Sequence, residues 1–171
     1  MARYYGYEEN IASALIKLNA NKIELDDFEE LVDIYLRASH DYQYKLSDEQ
    51  ERAVFNSLEN RVSIITGGPG TGKSTVILMI LMVYTQYKLY NFEDVLNRII
   101  LLAPTGRAAK RMYEITKVEA FTIHSFLERR DEKEIDNRLF IIDEASMLDI
   151  TIMNKFVAQL KQNDQVILVG D

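Results

Sequence analysis

The stretch "GGPGTGKS", Gly67 to Ser74, decides the fold of this chain. It follows the apolar run "VSIIT" and leads into a second apolar run, "VILMILMVY", which is about half as long as a membrane span. The stretch matches the pattern G-x-x-x-x-G-K-[ST], in which glycines permit a tight loop whose backbone N–H groups surround phosphate oxygens. Such a loop joins a strand to a helix. The sequence therefore predicts a phosphate-binding loop between a buried strand and a buried helix.

Three more apolar runs, "RIILLA", "LFIID" and "QVILVGD", alternate with helical stretches after this loop. Continuous apolar strands that alternate with helices indicate an α/β fold, with a parallel sheet flanked by helices on both faces. In such sheets ligands bind beyond the carboxyl ends of the strands. The four runs end in polar or glycine-containing sequences, after Thr66, Ala103, Ile142 and Val169, so we expect the functional site along this edge.

Residues 1–45 are predicted to form a helical N-terminal segment that precedes the sheet domain, residues 46–171. The apolar residues of this segment recur at helical spacing, as Ile11, Leu15 and Leu18 and then as Leu25, Phe28, Val32 and Tyr35. A third helix is expected in "LSDEQERAVFNSLEN", with Ser47 as its N-cap.

The charge of the chain is unevenly distributed. The formal net charge of the 171 residues is −7, and residues 1–60 carry 13 acidic and 6 basic side chains. Residues 61–171 carry 14 of each, so charge neither indicates nor excludes a nucleic-acid partner. The run "RRDEKEIDNR", residues 129–138, is expected to be an exposed connection. The absence of cysteine excludes disulfides and thiolate zinc sites, and we expect a cytoplasmic protein without membrane attachment.

The phosphate loop implies particular roles for nearby polar side chains. Lys73 is expected to reach the β and γ phosphates, and Ser74 to offer its hydroxyl to Mg²⁺. Asp143, at the end of a strand, fits the carboxylate beside the metal, and Glu144 fits a base that positions the attacking water. The alternative is that both acids merely occupy the first turn of a helix, where the dipole favours them. Because no N-K-x-D run occurs, ATP is expected rather than GTP.

Gln50 allows two interpretations. Ser47 and Gln50 have the spacing of a capping box, in which the serine caps the helix and the glutamine reaches back to the cap. The same glutamine lies just upstream of the phosphate loop, where its amide could contact adenine. The spacing alone does not separate a cap from a ligand contact.

The stretch "LLAPTGRAAKRM", Leu101 to Met112, places Arg107 in the first turn of a helix that begins near Thr105. A basic residue there opposes the helix dipole, at a cost of about 0.3–1 kcal/mol. Arg107 is therefore either a solvated side chain that tolerates this cost or part of an anion site.

Six motifs in order resemble the N-terminal motor domain of superfamily 1 helicases: "LSDEQERAV", "IITGGPGTGKST", "LLAPTGRAAKRM", "FTIHSFL", "FIIDEASMLD" and "VILVGD". They look most like the RecD-like branch, the exodeoxyribonuclease V alpha subunit family. The resemblance covers residues 46–171 and implies a RecA-like P-loop NTPase domain. It also implies a motor that couples ATP hydrolysis to 5′–3′ translocation on single-stranded DNA and to duplex unwinding, in DNA recombination and repair.

The resemblance assigns roles residue by residue. It implies nucleotide contacts by Gln50, Gly68, Pro69, Gly70, Thr71, Gly72, Lys73, Ser74 and Thr75, and metal contacts by Ser74 and Asp143. It implies DNA contacts by Pro104, Thr105, Gly106, Arg107, Thr122, His124 and Ser125, and it places Gly170 and Asp171 in a motif that couples the two ligands. For His124 the alternative is a buried histidine with a structural role.

The resemblance also sets limits on what this chain does. The family continues past Gly-Asp with a strand-separating element and a second motor domain that carries an arginine finger. We therefore interpret the chain as a truncated first motor domain that binds ATP and Mg²⁺ but scarcely hydrolyses ATP. Arg107 and Arg111 are expected to follow the DNA-facing strand end. Partner subunits of a helicase–nuclease complex are compatible with this resemblance.

Two alternatives remain at this stage. An AAA+ remodelling ATPase shares "GPGTGKS" and an apolar strand that ends in Asp-Glu, although "APTGRAAKRM" has no counterpart there. A nucleotide-binding module without turnover is the other alternative.

Overall fold

Five parallel strands form one sheet in the computed structural model, which describes residues 2–25, 27–88, 92–129 and 135–171. The order across the sheet is β1-β5-β4-β2-β3, and every neighbouring pair is parallel. The strands are β1 (Val62–Thr66), β2 (Ile99–Ala103), β3 (Ala120–Thr122), β4 (Leu139–Ile142) and β5 (Gln165–Gly170). The predicted α/β class with a parallel sheet is confirmed. The strand β3 is not among the predicted apolar runs, because it has only three residues and lacks a continuous apolar run.

Helices cover both faces of this sheet. They are α1 (Ala2–Ala20), α2 (Phe28–Asp41), α3 (Asp48–Glu59), α4 (Lys73–Tyr87), α5 (Phe92–Arg98), α6 (Gly106–Thr116), α7 (Ile123–Glu128) and α8 (Ile150–Val157), with a 3₁₀ turn at Ala145–Met147. The helix α4 is buried along most of its length, as its apolar sequence predicted. In the part of the chain that the structure describes, no helix is both long and apolar enough to span a membrane.

Strand side chains alternate between two cores because successive residues of a strand point to opposite faces. Leu101, Ile141 and Ile167 belong to the core beneath α2, α3 and α4. On the other face, Phe140 packs between Phe126 of α7 and Phe156 of α8, with ring centroids 5.5 and 5.2 Å apart. This double burial explains why the strands read as continuous apolar runs.

The N-terminal helices pack on both sides of the sheet. The helix α1 lies against α8, whereas α2 lies against α4. Within α2 the buried residues are Leu31, Ile34, Tyr35 and Ala38, so the predicted register is only partly right. Leu25 precedes the helix and Phe28 is half exposed. The division of the chain at residue 46 stays a prediction.

Arg138 corrects the prediction that residues 129–138 form an exposed connection throughout. Its guanidinium is buried and forms an ion pair with the fully buried Asp164, at 2.6 Å between Nη2 and Oδ2. Asp164 also accepts hydrogen bonds from the backbone N–H groups of Arg138 and Lys161. The sequence pattern missed this pair because the two residues are 26 positions apart. Residues 130–134 of the predicted connection lie outside the described part of the chain.

We predict that Asp164→Ala destabilises the fold by about 3–5 kcal/mol, because it leaves the buried guanidinium of Arg138 without its counter-charge. Urea unfolding of the full chain measures this change. The matched control is Asp94→Ala, which removes the more exposed ion pair with Arg98 and is expected to cost about 1 kcal/mol or less. Equal losses for the two variants would contradict the importance of the buried pair.

Candidate nucleotide and nucleic-acid sites

The loop between β1 and α4 has the backbone that its glycines permit. Gly70 and Gly72 adopt positive φ angles of 76° and 81°, which side-chain-bearing residues rarely accept. A Cβ at Gly67 would lie 2.6 Å from Oγ1 of Thr71, which donates a 2.8 Å hydrogen bond to the carbonyl of Gly68. The loop is thus closed by its own contacts, and the lysine that follows it is the first residue of α4.

Lys73 points back into this loop. Its ammonium group donates hydrogen bonds to the carbonyl oxygens of Gly67 and Gly68 and forms an ion pair with Asp171, at 2.5 Å between Nζ and Oδ1. The lysine side chain is 19% exposed and that of Asp171 is 65% exposed. The end of β5 therefore supplies the carboxylate that neutralises the loop lysine.

The acidic pair follows β4, whose four residues are fully buried. Glu144 has a left-handed backbone, with φ 52° and ψ 36°, and its N–H donates a 2.9 Å hydrogen bond to Oδ1 of Asp143. A residue other than glycine in this region costs about 1–2 kcal/mol. Such strain occurs most often at functional sites. Both acids lie between β4 and the 3₁₀ turn Ala145–Met147, so the alternative that they merely occupy the first turn of a helix is not supported.

A cavity of about 470 Å³ brings the loop and the acidic pair together. Its described lining consists of Gly68, Pro69, Gly70, Thr71, Gly72, Lys73, Ser74, Arg111, Asp143, Glu144, Ser146, Met147, Gly170 and Asp171. Most residues predicted to bind nucleotide or metal thus share one cavity at the carboxyl edge of the sheet, although their roles stay predictions. Gln50 and Thr75 are outside this lining.

Three residues of the lining were not predicted from the sequence. Arg111 was expected on the DNA-facing side, but the structure places this arginine in the nucleotide cavity. Ser146 and Met147 enter through the 3₁₀ turn after Glu144. The only sequence signal for Arg111 was its spacing of four residues from Arg107, which places both on one side of a helix.

Both the oxygen and the nitrogen of the Gln50 side-chain amide form hydrogen bonds. The capping box is present: Gln50 N–H donates to Oγ of Ser47 at 3.3 Å, and Ser47 N–H donates to Oε1 of Gln50 at 2.9 Å. In addition, Nε2 of Gln50 donates to the carbonyl of Thr71 at 2.9 Å. Gln50 therefore links α3 to the phosphate loop, and an adenine contact stays a prediction.

The predicted DNA contacts follow two neighbouring strands. The strands β2 and β3 are paired, with Ala103 opposite Thr122, so the helices α6 and α7 begin side by side. Thr105 caps α6 by accepting a 3.2 Å hydrogen bond from Ala108 N–H, and Thr122 accepts from Ser125 N–H at 3.1 Å. These hydroxyl groups thus have structural partners already, and a DNA role adds to a local one.

Arg107 and His124 are both exposed at this edge. Exposure excludes the alternative of a buried structural histidine at position 124. The first turn of α6 contains no acidic residue, and Arg107 forms no ion pair within the described ranges. The unfavourable placement of Arg107 near a helix N-terminus is therefore not compensated by a local carboxylate, which supports an external anion.

A phosphate loop that faces an Asp-Glu pair across one intervening parallel strand defines a P-loop nucleotide-binding domain. The family described as "AAA domain" matches residues 50–171 of the chain. The match extends over more than half of the chain, so this protein belongs to that family. The family description by itself does not separate a RecD-like motor from an AAA+ remodelling ATPase.

Named relatives favour the RecD-like alternative. The chain is 33% identical to the RecBCD enzyme subunit RecD of Mycobacterium tuberculosis, over 72% of this chain and 26% of that protein. It is 34% identical to the ATP-dependent RecD2 DNA helicase of Deinococcus radiodurans, over 74% of this chain and 18% of that protein. The predicted resemblance to RecD-like helicases is confirmed. The chain spans about a quarter or less of the length of these relatives.

The fold also has a solved structural counterpart. The UvsW helicase from bacteriophage T4 superimposes with a TM-score of 0.52, over 87% of this chain and 75% of that chain. The sequence identity is 14%, so this likeness supports the architecture and no finer feature of the site.

We predict that Gln50→Ala lowers stability by about 1 kcal/mol, since it removes one arm of the capping box, and also reduces the preference for ATP over GTP. Thermal unfolding measures the first effect, and titration with each nucleotide measures the second. Ser47→Ala is the matched control, because it disrupts the same box without removing an amide beside the loop. If the ATP preference of Gln50→Ala equals that of Ser47→Ala, Gln50 serves only as a cap and tether.

Proposed function

We propose that this chain is the ATP-binding motor domain of a RecD-like DNA helicase, in which ATP hydrolysis drives translocation on single-stranded DNA. The supporting observation is the single cavity that contains the phosphate loop, Lys73, Asp143 and Glu144. P-loop NTPases hydrolyse nucleotides with these parts: a backbone cradle, a lysine, a metal-side carboxylate and a residue that orients water.

The oxygen donors of the cavity fit Mg²⁺. Ser74 and Asp143 both line the cavity, and Mg²⁺ in nucleotide sites takes one or two protein oxygens together with phosphate oxygens and water. Bound there, Mg²⁺ would neutralise charge on the phosphates. The N–H of Glu144 donates a hydrogen bond to Oδ1 of Asp143, which orients the carboxylate that would hold the metal together with Ser74.

Nucleotide binding also changes the partners of Lys73. In this structure its ammonium group is held by two loop carbonyls and by Asp171. A phosphate in the loop would replace Asp171 as the anionic partner of Lys73. The release of Asp171 at the end of β5 would then depend on nucleotide binding. The observed ion pair between Lys73 and Asp171 supports the coupling role proposed for Gly170 and Asp171.

The DNA site is proposed at the neighbouring strand ends, where α6 and α7 begin. Its groups are backbone N–H groups, hydroxyls and the exposed Arg107, which fit phosphates rather than base edges. Binding is therefore expected to tolerate any sequence and to weaken with salt. The relatives named RecD are subunits of RecBCD, and on this ground we propose helicase–nuclease partner subunits for the present protein. The resemblance of its motifs to RecD-like helicases is the ground for also proposing 5′–3′ polarity and a role in recombination and repair.

We predict that Lys73→Ala abolishes Mg-ATP binding, because it removes the charge that the loop directs at the phosphates. Ser74→Ala should weaken Mg-ATP binding but leave binding of metal-free ATP nearly unchanged, since its hydroxyl acts through the metal. Isothermal titration calorimetry with and without magnesium measures both effects. Wild-type affinity in Lys73→Ala would refute the nucleotide assignment.

We predict that Arg107→Ala weakens binding to oligo-dT and lowers the dependence of log K on log salt by about one ion, while ATP affinity is unchanged. Fluorescence anisotropy at several salt concentrations measures this slope. Arg52→Ala is the control, because Arg52 is an exposed arginine on α3. An equal change of slope in both variants would show that net charge, and not the α6 edge, attracts DNA.

A further inference from the structure

Arg111 is a cation of the nucleotide cavity to which the helicase motifs assign no role. It lies on α6 and lines the cavity with Lys73, Asp143 and Glu144. Apart from Lys73, it is the only lysine or arginine among the described residues of this lining.

The guanidinium of Arg111 is available to a ligand. In the described ranges it forms no ion pair, although Asp143 and Glu144 line the same cavity. Its side chain is exposed, and a guanidinium group presents five N–H donors in a fork that matches phosphate oxygens. By contrast, Lys73 is already bound by two carbonyls and by Asp171.

The backbone beneath Arg111 is held firmly in place. The inner face of α6 consists of the buried residues Ala108, Ala109 and Met112, and Thr105 caps its first turn. The cavity contains three carboxylates, Asp143, Glu144 and Asp171, against two cations. A bound triphosphate adds more negative charge, so the second cation stabilises the nucleotide complex more than the empty site.

Arg111 also lies one helical turn from Arg107, about 6 Å along the axis of α6. The first turn of this helix is the proposed DNA contact. A phosphate contact by Arg111 therefore means that one helix of eleven residues contacts both the nucleotide and the DNA. A small movement of α6 would then change both contacts.

We propose that Arg111 binds the terminal phosphate of a nucleoside triphosphate in this cavity and so distinguishes the triphosphate from the diphosphate. The inference rests on the proposed nucleotide-binding function. It assigns the contact to a side chain of this domain itself, supplied by α6 from across the cavity.

The test compares ATPγS with ADP, both with magnesium, by calorimetry on the full 171-residue chain. We expect Arg111→Ala to weaken ATPγS binding by about 10- to 100-fold, the effect of losing a charged hydrogen bond, and to change ADP affinity by less than about twofold. Arg111→Lys should recover part of the loss, because it keeps the charge without the fork. The matched control is Lys110→Ala, an exposed neighbour on α6 that does not line the cavity.

The outcomes separate this inference from the proposed function. If Lys73→Ala binds both nucleotides as the wild type does, the proposed function fails and the inference fails with it. If Lys73→Ala loses binding but Arg111→Ala affects ATPγS and ADP equally, or affects neither, only the Arg111 contact is refuted. An equal ATPγS loss in Lys110→Ala also refutes it, since that result indicates a general charge effect. Unchanged thermal unfolding of Arg111→Ala without nucleotide confirms that the variant is folded.

Discussion

The central constraint of this structure is the close approach of β5 to the elements on either side of it. The carbonyl of Gly170 accepts a 3.3 Å hydrogen bond from the N–H of Gly67, and a Cβ at Gly170 would lie 3.2 Å from the N of Ser146. A side chain at this position would require the turn that follows Glu144 to shift by a few tenths of an ångström. Because β5 pairs with both β1 and β4, it sets the distance between the phosphate loop and the acidic pair, and the proposed nucleotide site depends on that distance.

The charged groups at the two edges of the sheet differ in their partners. The buried pair of Arg138 and Asp164 is joined by hydrogen bonds from the backbone N–H, Nε and Nη2 of Arg138 and lies before β4 and β5, outside the cavity lining. At the carboxyl edge, in the part of the chain that is described, Arg107 and Arg111 form no ion pair, and Glu144 accepts a strained backbone. The buried ion pair thus lies at one edge of the sheet, and the two arginines without an ion pair among the described residues lie at the other.

Much of the fold could be predicted because local patterns encode it. The apolar runs identified β1, β2, β4 and β5, and the spacing of Ser47 and Gln50 identified a capping box that is present. The short β3 escaped prediction because three residues carry no periodic signal. The exposed Phe28 shows why the register of α2 was partly wrong: its packing against α4 and not its own pattern selects the buried face.

The sequence by itself determined which chemical groups are present at the strand ends, since the glycine-lysine loop and the Asp-Glu pair are each recognised from a few consecutive residues. Only the tertiary structure decided which of these groups meet. It paired Lys73 with Asp171, 98 residues away, tied Gln50 to the loop carbonyl of Thr71, and directed Arg111 into the nucleotide cavity. The physical reason is that strand order and helix orientation depend on burial across the whole sheet, so neither can be predicted from the spacing of nearby residues.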